Sequence, residues 1–271
     1  MKPIRVLSID FDYFVKATAE QRVTIFPDGL DQYGVAVNNA VWMSRYADCA
    51  EIEEIGIVED DYSSMVNYLN LLSRKPQSMG NIRMMTTNSH QHLYNLMFDD
   101  YNDKAFDMLH IDYHSDSYGL KGGVDCGNWV DWIAKKWKKD QPRLYRMSRI
   151  TWLGREDSEY NCKDIKDDRF FKAVQRNNQP MGDQINDYFH GKMPDVIFIC
   201  KSGPWTPPHL DDYFDELISI GHMFNMRGVK TLFSNDVENR WTEEYQEALI
   251  QHREQMQQLK SGIMKGDEKS V

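Results

Sequence analysis

Ala105-Phe106-Asp107-Met108-Leu109-His110-Ile111-Asp112-Tyr113-His114-Ser115-Asp116 is an apolar run that ends in an Asp-x-His-x-Asp triplet. Side chains on a strand alternate between its faces, so Asp112, His114 and Asp116 share one face as the strand ends. Two carboxylates and an imidazole that converge on one point strand charge unless a cation lies between them. Such a donor set suits Mn²⁺, Fe²⁺, Co²⁺ or Zn²⁺. The plainer alternative is a solvated strand end with a hydrogen-bonded surface histidine.

Two further stretches bear on that choice. Near the start of the chain, Val6-Leu7-Ser8-Ile9 leads into Asp10-Phe11-Asp12, again with two acids on one strand face. Charged residues inside an apolar strand are rare unless paired or bound to metal. A lone helix-capping Asp is the plainer reading of either one. The third stretch is Thr86-Thr87-Asn88-Ser89-His90-Gln91-His92, after the apolar Ile82-Arg83-Met84-Met85 and before the helix-like Leu93-Tyr94-Asn95-Leu96-Met97. Ser89 or Asn88 suits a helix N-cap. A histidine in a strand-to-helix turn lies at the carboxyl end of a parallel sheet, where such folds place their ligands. His90 or His92 is therefore expected to meet the Asp112 cluster, or else to be a surface histidine.

Strand-like and helix-like runs alternate along the rest of the chain. Strands are expected at 4–9, 52–58, 82–85, 105–111, 149–153, 195–200 and 229–233. Helices are expected at 33–46, 63–72, 91–98, 129–138 and from Pro207-Pro208 through Ile220. This alternation predicts an α/β fold, a three-layer α/β/α arrangement with a mainly parallel sheet. Residues 1–242 are expected to form a single catalytic domain, and 243–271 a polar C-terminal helix with a disordered tail. The net charge of −10 over 271 residues disfavours nucleic acid and membrane surfaces as partners and suits a cationic substrate. Cys49, Cys126, Cys162 and Cys200 have no C-x-x-C spacing, which favours free thiols and a cytoplasmic setting.

Taken together, the three motifs resemble the arginase/ureohydrolase superfamily. Its members carry a histidine after one strand, Asp-x-His-x-Asp at the end of the next, and Ser-x-Asp-x-Asp on a third. Here these stand as Asn88-Ser89-His90, Asp112 to Asp116, and Ser8-Ile9-Asp10-Phe11-Asp12; Cys126-Gly127-Asn128 resembles the family's Ser-Gly-Asn. The order departs from ordinary arginases, in which the Ser-x-Asp-x-Asp strand comes late. The chain reads as a circular permutation. Glu59, after Glu54-Ile55-Gly56-Ile57-Val58, then resembles the glutamate that holds the guanidinium, or else belongs to a solvated acidic turn. In size and motif style the chain is most similar to the peptide arginases. The resemblance covers the first half of the chain. Trp129 and Val130 stand where arginases carry a further histidine.

That resemblance implies two Mn²⁺ ions bridged by Asp112 and Asp10, with His90 and Asp116 completing one shell and His114 and Asp12 the other. It implies an arginine-containing peptide as partner and substrate, giving ornithine and urea. Glu59 would hold the guanidinium, Asp116 would orient the attacking water and relay its proton, and Asn128 would contact substrate or cap its helix. Alternatives are a small-molecule ureohydrolase acting on arginine, agmatine or a formimino compound, another amide hydrolase on the same fold, and a non-catalytic metal-stabilised binding protein. Tyr13, Tyr113 and Tyr118 are expected in the core or beside a groove. The loop 201–208 either borders the site or is a rigid helix entry. Lys135 to Lys139 form a basic helix end. His110, His190, His209, His222 and His252 carry no expected role.

Overall fold

The computed structural model describes residues 2–27, 35–74, 82–158, 167–226 and 230–233, together with Glu247, Ile250, Gln251 and Glu254 in helical conformation. The strands in chain order are β1 (Ile4–Asp10), β2 (Val15–Lys16), β3 (Gly56–Ile57), β4 (Arg83–Thr87), β5 (Phe106–Ile111), β6 (Arg149–Gly154), β7 (Phe171–Gln175), β8 (Val196–Cys200) and β9 (Lys230–Phe233). Seven of them form one sheet in the order β7-β6-β5-β1-β8-β4-β9, and every adjacent pair is parallel. β2 and β3 form a separate antiparallel ribbon.

Alternation along the strands divides two apolar cores. Leu7 and Ile9 of β1, Leu109 and Ile111 of β5, and Ile197 and Ile199 of β8 join one core. It also takes residues of α2 (Val35–Asp48), α3 (Glu59–Ser73), α7 (Met181–Tyr188) and α8 (Asp211–Met226). Val6, Phe106, Met108, Val196 and Phe198 point to the other face, where α4 (Gln91–Tyr101), α5 (Trp129–Asp140) and α6 (Pro142–Tyr145) cover them. Helices on both faces of a parallel sheet make the three-layer α/β/α architecture that the alternation predicts. From β4 to β5 the chain crosses from one side of β1 to the other, which puts a topological switch at the carboxyl end of β1.

The expected strand over 52–58 is corrected. Ala50–Glu54 is a 3₁₀ helix, and only Gly56 and Ile57 extend as β3, outside the main sheet. The apolar side chains that bury here, Ile52 and Ile55, are three apart, the spacing of a 3₁₀ turn, while Glu53 and Glu54 stay exposed. β7, α7 and the short α1 (Ala19–Thr24) are elements that the pattern did not signal. Thr18 closes a capping box with Gln21 at the start of α1. Most of the polar tail after 242 lies outside the described residues. Among the described residues no helix is long and apolar enough to cross a membrane, and Cys49, Cys126 and Cys200 are free thiols.

Candidate metal centre

Parallel register assembles the site. β1 and β5 set Ser8 beside His110, and β1 and β8 set Asp10 beside Cys200. The same alternation turns Ser8, Asp10, His110 and Cys200 toward the α4/α5 layer. There the carboxyl ends of the strands meet the turn before α4, which carries His90.

His90 is the focus of the cluster. Its ring is sandwiched between Trp129, with centroids 5.2 Å apart, and Phe198, 5.4 Å away. Nε2 shares a 2.7 Å hydrogen bond with Ser8 Oγ. Nδ1 faces three carboxylates, 2.8 Å from Asp10 Oδ2, 3.3 Å from Asp112 Oδ2 and 3.4 Å from Asp116 Oδ2. Four ligand atoms around one point at these spacings form a shell of the kind that holds a divalent ion. Ser8 Oγ would then accept the Nε2 proton and fix the tautomer, as partners of metal-bound histidines do.

A second group adjoins the first through Asp112. His114 Nδ1 lies 2.9 Å from Asp12 Oδ2 and 4.0 Å from Asp112 Oδ1. Asp12 Oδ2 is buried and makes no hydrogen bond despite that approach, and Asp112 Oδ2 makes none either. Orphaned buried carboxylate oxygens are rare, because leaving one costs about 1–3 kcal/mol. A metal ion would satisfy both, so the donor set fits the group that the sequence motifs imply. Three groups of ligand atoms meet the spacing for holding an ion: Asp10/His90/Cys200, His90/His110/Asp112 and Asp12/Asp112/His114.

The electrostatics point the same way. Burial, then the charges of Asp10 and Asp12, push Asp112 well above the ordinary carboxylate range. Burial and Asp112 do the same to Asp116, and burial with Asp12 raises Asp10. Burial also pushes on Asp12, but the charges of His114 and Arg22 and the hydrogen bond from the Tyr113 amide outweigh it, and Asp12 is lowered. The carboxyls therefore cannot all ionise here without added positive charge.

Asp116 sits at φ 51°, in the left-handed region that non-glycine residues seldom adopt, and Ser202 at φ 49°. Both line the cavity, and strain of this kind collects at functional sites. Trp129 Nε1 donates to Asp116 Oδ2, and Ser202 Oγ donates to Asp10 Oδ2. The cavity above the cluster has a volume of about 560 Å³, in the range of small-molecule sites. Tyr113, Tyr118 and Trp205 wall it, and Asp10, His90, His114 and Asp116 face into it.

The structure thus brings together Asp10, Asp12, His90, Asp112, His114 and Asp116, and selects His90 over His92, which bonds Thr87 Oγ1 instead. It does not bring Glu59 there. Glu59 is exposed in the first turn of α3, where its charge favours the helix N-terminus, and accepts from Tyr213 Oη at 3.5 Å. The strand beside β1 on that flank is β8, which ends at Cys200 and is followed by Lys201-Ser202. Asn128 lines the cavity, but its side chain is engaged by the loop. Nδ2 donates to Lys121 O, Gly123 O and Asp125 Oδ2, and Oδ1 accepts from Asp125 N. It sits at the N-cap of α5 without a side-chain cap bond, so it organises the wall rather than capping the helix.

His110 was given no role by sequence and is fully buried in the cluster, with Nε2 3.3 Å from Asp112 Oδ2 and neither ring nitrogen hydrogen-bonded. The signal existed: His110 is two residues before Asp112 and so shares its face. Arg22, and Trp129 as a donor, had no local signal, whereas Ser202 and Trp205 lie on the loop 201–208, which does border the site. Compared with known proteins, the chain matches no family model, no curated protein and no solved structure.

Proposed function

We propose that this protein is a metal-dependent hydrolase of the arginase type, which cleaves the guanidinium of arginine within a peptide to ornithine and urea. The observation that carries the reading is the meeting of three motifs from separate strands, with His90 Nδ1 within 3.4 Å of Asp10, Asp112 and Asp116. His90, Asp10, Asp112 and Asp116 would hold one divalent ion, and Asp12, His114 and Asp112 a second, both Mn²⁺. Such a pair supplies a water acidified for attack on carbon at neutral pH.

The chain's own residues supply the rest. Trp205 gives an aromatic face for a planar cation, and the carboxylates of Asp10 and Asp116 give it negative charge at the cavity floor. Asp116, at the cavity floor beside His90, would orient the attacking water, take its proton and return it to the leaving amine. The ring of His114 lies 4.6 Å from that of Trp205, which closes that side against bulk water. Glu59 has no part in this scheme.

The test is urea release by the Mn²⁺-loaded chain from arginine-containing peptides, free arginine and agmatine, with mass spectrometry for ornithine. Turnover of peptides supports the proposal. Turnover of the small molecules alone replaces it with a small-molecule ureohydrolase. Metal binding with no turnover of any of them leaves a metal-stabilised binding protein.

A further inference from the structure

Arg22 lies in the wall of the same cavity and is 3% exposed. Its guanidinium carbon is 3.6 Å from the centroid of Tyr113, and Nη2 donates to the carbonyls of Asp12 and Val15 at 3.1 and 2.8 Å. Nη1 lies 3.8 Å from Asp12 Oδ2, and neither Nη1 nor Nε has a hydrogen-bond partner. Arg155 caps the same turn from the other side, with Nη1 donating to the carbonyls of Tyr13 and Val15, while Asp157 balances its charge. Asp12 thus sits on a segment clamped by two arginines, and among the described contacts one of them, Arg22, has the ligand itself as its only acidic partner.

The two ion positions are unequal on these grounds. The His90 position draws on four fully buried groups, and no arginine or lysine makes an ion pair with Asp10, Asp112 or Asp116 among the described contacts. The His114 position has three groups, one of them 19% exposed, and a fixed cation against its carboxylate. A guanidinium stays charged at any working pH and repels an incoming dication at this range. We infer that Arg22 is a built-in cation that holds Asp12 in place and weakens the His114-side ion, so that the His90 position fills first and the His114 position exchanges with free metal. This inference rests on the dinuclear reading above.

The test is titration of the full chain, stripped of metal by chelation, with Mn²⁺ alone, read as free ion by electron paramagnetic resonance and as heat by calorimetry. The wild type should bind two ions in two separated steps. Arg22→Met should tighten the second step by about tenfold or more and leave the first little changed. Arg22→Lys keeps the charge and should keep the wide separation, as should Arg155→Met, whose charge is already balanced. Should Arg22→Met fail to fold, Arg22→Gln, which retains a donor for the Asp12 and Val15 carbonyls, takes its place. Two ions of equal affinity in the wild type, or an unchanged or weakened second step in the neutral variants, overturns the inference. A single ion bound by the wild type overturns the dinuclear reading itself.

Discussion

The two ends of the sheet treat acidic residues in opposite ways. At the amino end each acid has its own arginine. Asp195 takes Arg5 through Nε, Nη2 and the backbone amide, and Asp107 takes Arg149 through Nε and Nη2 at 2.8 and 2.7 Å. Asp100 takes Arg83. At the carboxyl end Asp10, Asp12, Asp112 and Asp116 share imidazoles and, among the described residues, the one guanidinium of Arg22 paired with Asp12. Paired acids at the amino end fasten strands together. The acids crowded at the carboxyl end outnumber the cations beside them, an excess that a bound cation would relieve, and such crowding marks a candidate site.

The largest break of this contrast is Asp112→Ala. Asp112 is the only carboxylate shared by both groups, so the variant should lose metal and drop any hydrolytic activity by about a thousandfold or more. Elemental analysis after dialysis and the urea assay check it. Asp112→Ala protein with full metal content would remove the carboxyl end's claim to be a site.

Metal and pH sharpen the contrast next. Mn²⁺ at a hundred to a thousand times its dissociation constant should stabilise the chain by about 3–4 kcal/mol. In the metal-free chain Asp112 and Asp116 have raised folded values, through burial first and neighbouring carboxylates second. His90 is raised too, since Asp10 outweighs its burial. Groups raised on folding contribute stability that is present below their unfolded value and lost as pH rises through the folded one. Asp12 and His110, lowered on folding, work the other way, but in this cluster they oppose four raised groups, Asp10, His90, Asp112 and Asp116. The metal-free melting temperature should therefore fall as pH rises from the ordinary carboxylate range past neutrality. With Mn²⁺ saturating, it should rise over the same range, because protons compete with the ion. Calorimetry across that range, with and without metal, reads both slopes; parallel slopes would defeat the prediction.

Trp129→Phe removes the donor to Asp116 while keeping most of the ring against His90. It should cost about 1–3 kcal/mol through a buried acceptor left unpaired, measured by denaturant unfolding, and should weaken Mn²⁺ binding. At the other end, Arg5→Met should cost about 1 kcal/mol, since the pair is partly solvated, and leave Mn²⁺ affinity untouched. Glu59→Gln should have the smallest effect, within about 0.5 kcal/mol on stability as for other surface positions, with urea release unchanged. Loss of activity in Glu59→Gln would restore the residue that the fold has set aside.

Much of the site was legible because strand alternation is local. Asp10/Asp12 and Asp112/His114/Asp116 each declare a shared face within a few residues, and His90 follows from its strand-to-helix turn. His110 obeys the same rule, two residues before Asp112, although it carried no expected role. Glu59 was misplaced because apolar content read as a strand in Ile52-Glu53-Glu54-Ile55, whose buried spacing is three rather than two. Asn128 was legible as a helix start but not as the staple of its own loop, since the backbone acceptors it meets depend on how residues 119–127 fold.

The sequence by itself determined most of the main-sheet strands and their covering helices, the three polar strand ends and the net acidity, since these follow from two- and three-residue periodicities and from composition. Only the tertiary structure decided that β8, and not the stretch before Glu59, lies beside β1, and that Arg22 stands against Asp12. The physical reason is the same for both. Strand order and the approach of a distant side chain are set by which faces bury together, and no local spacing carries that information.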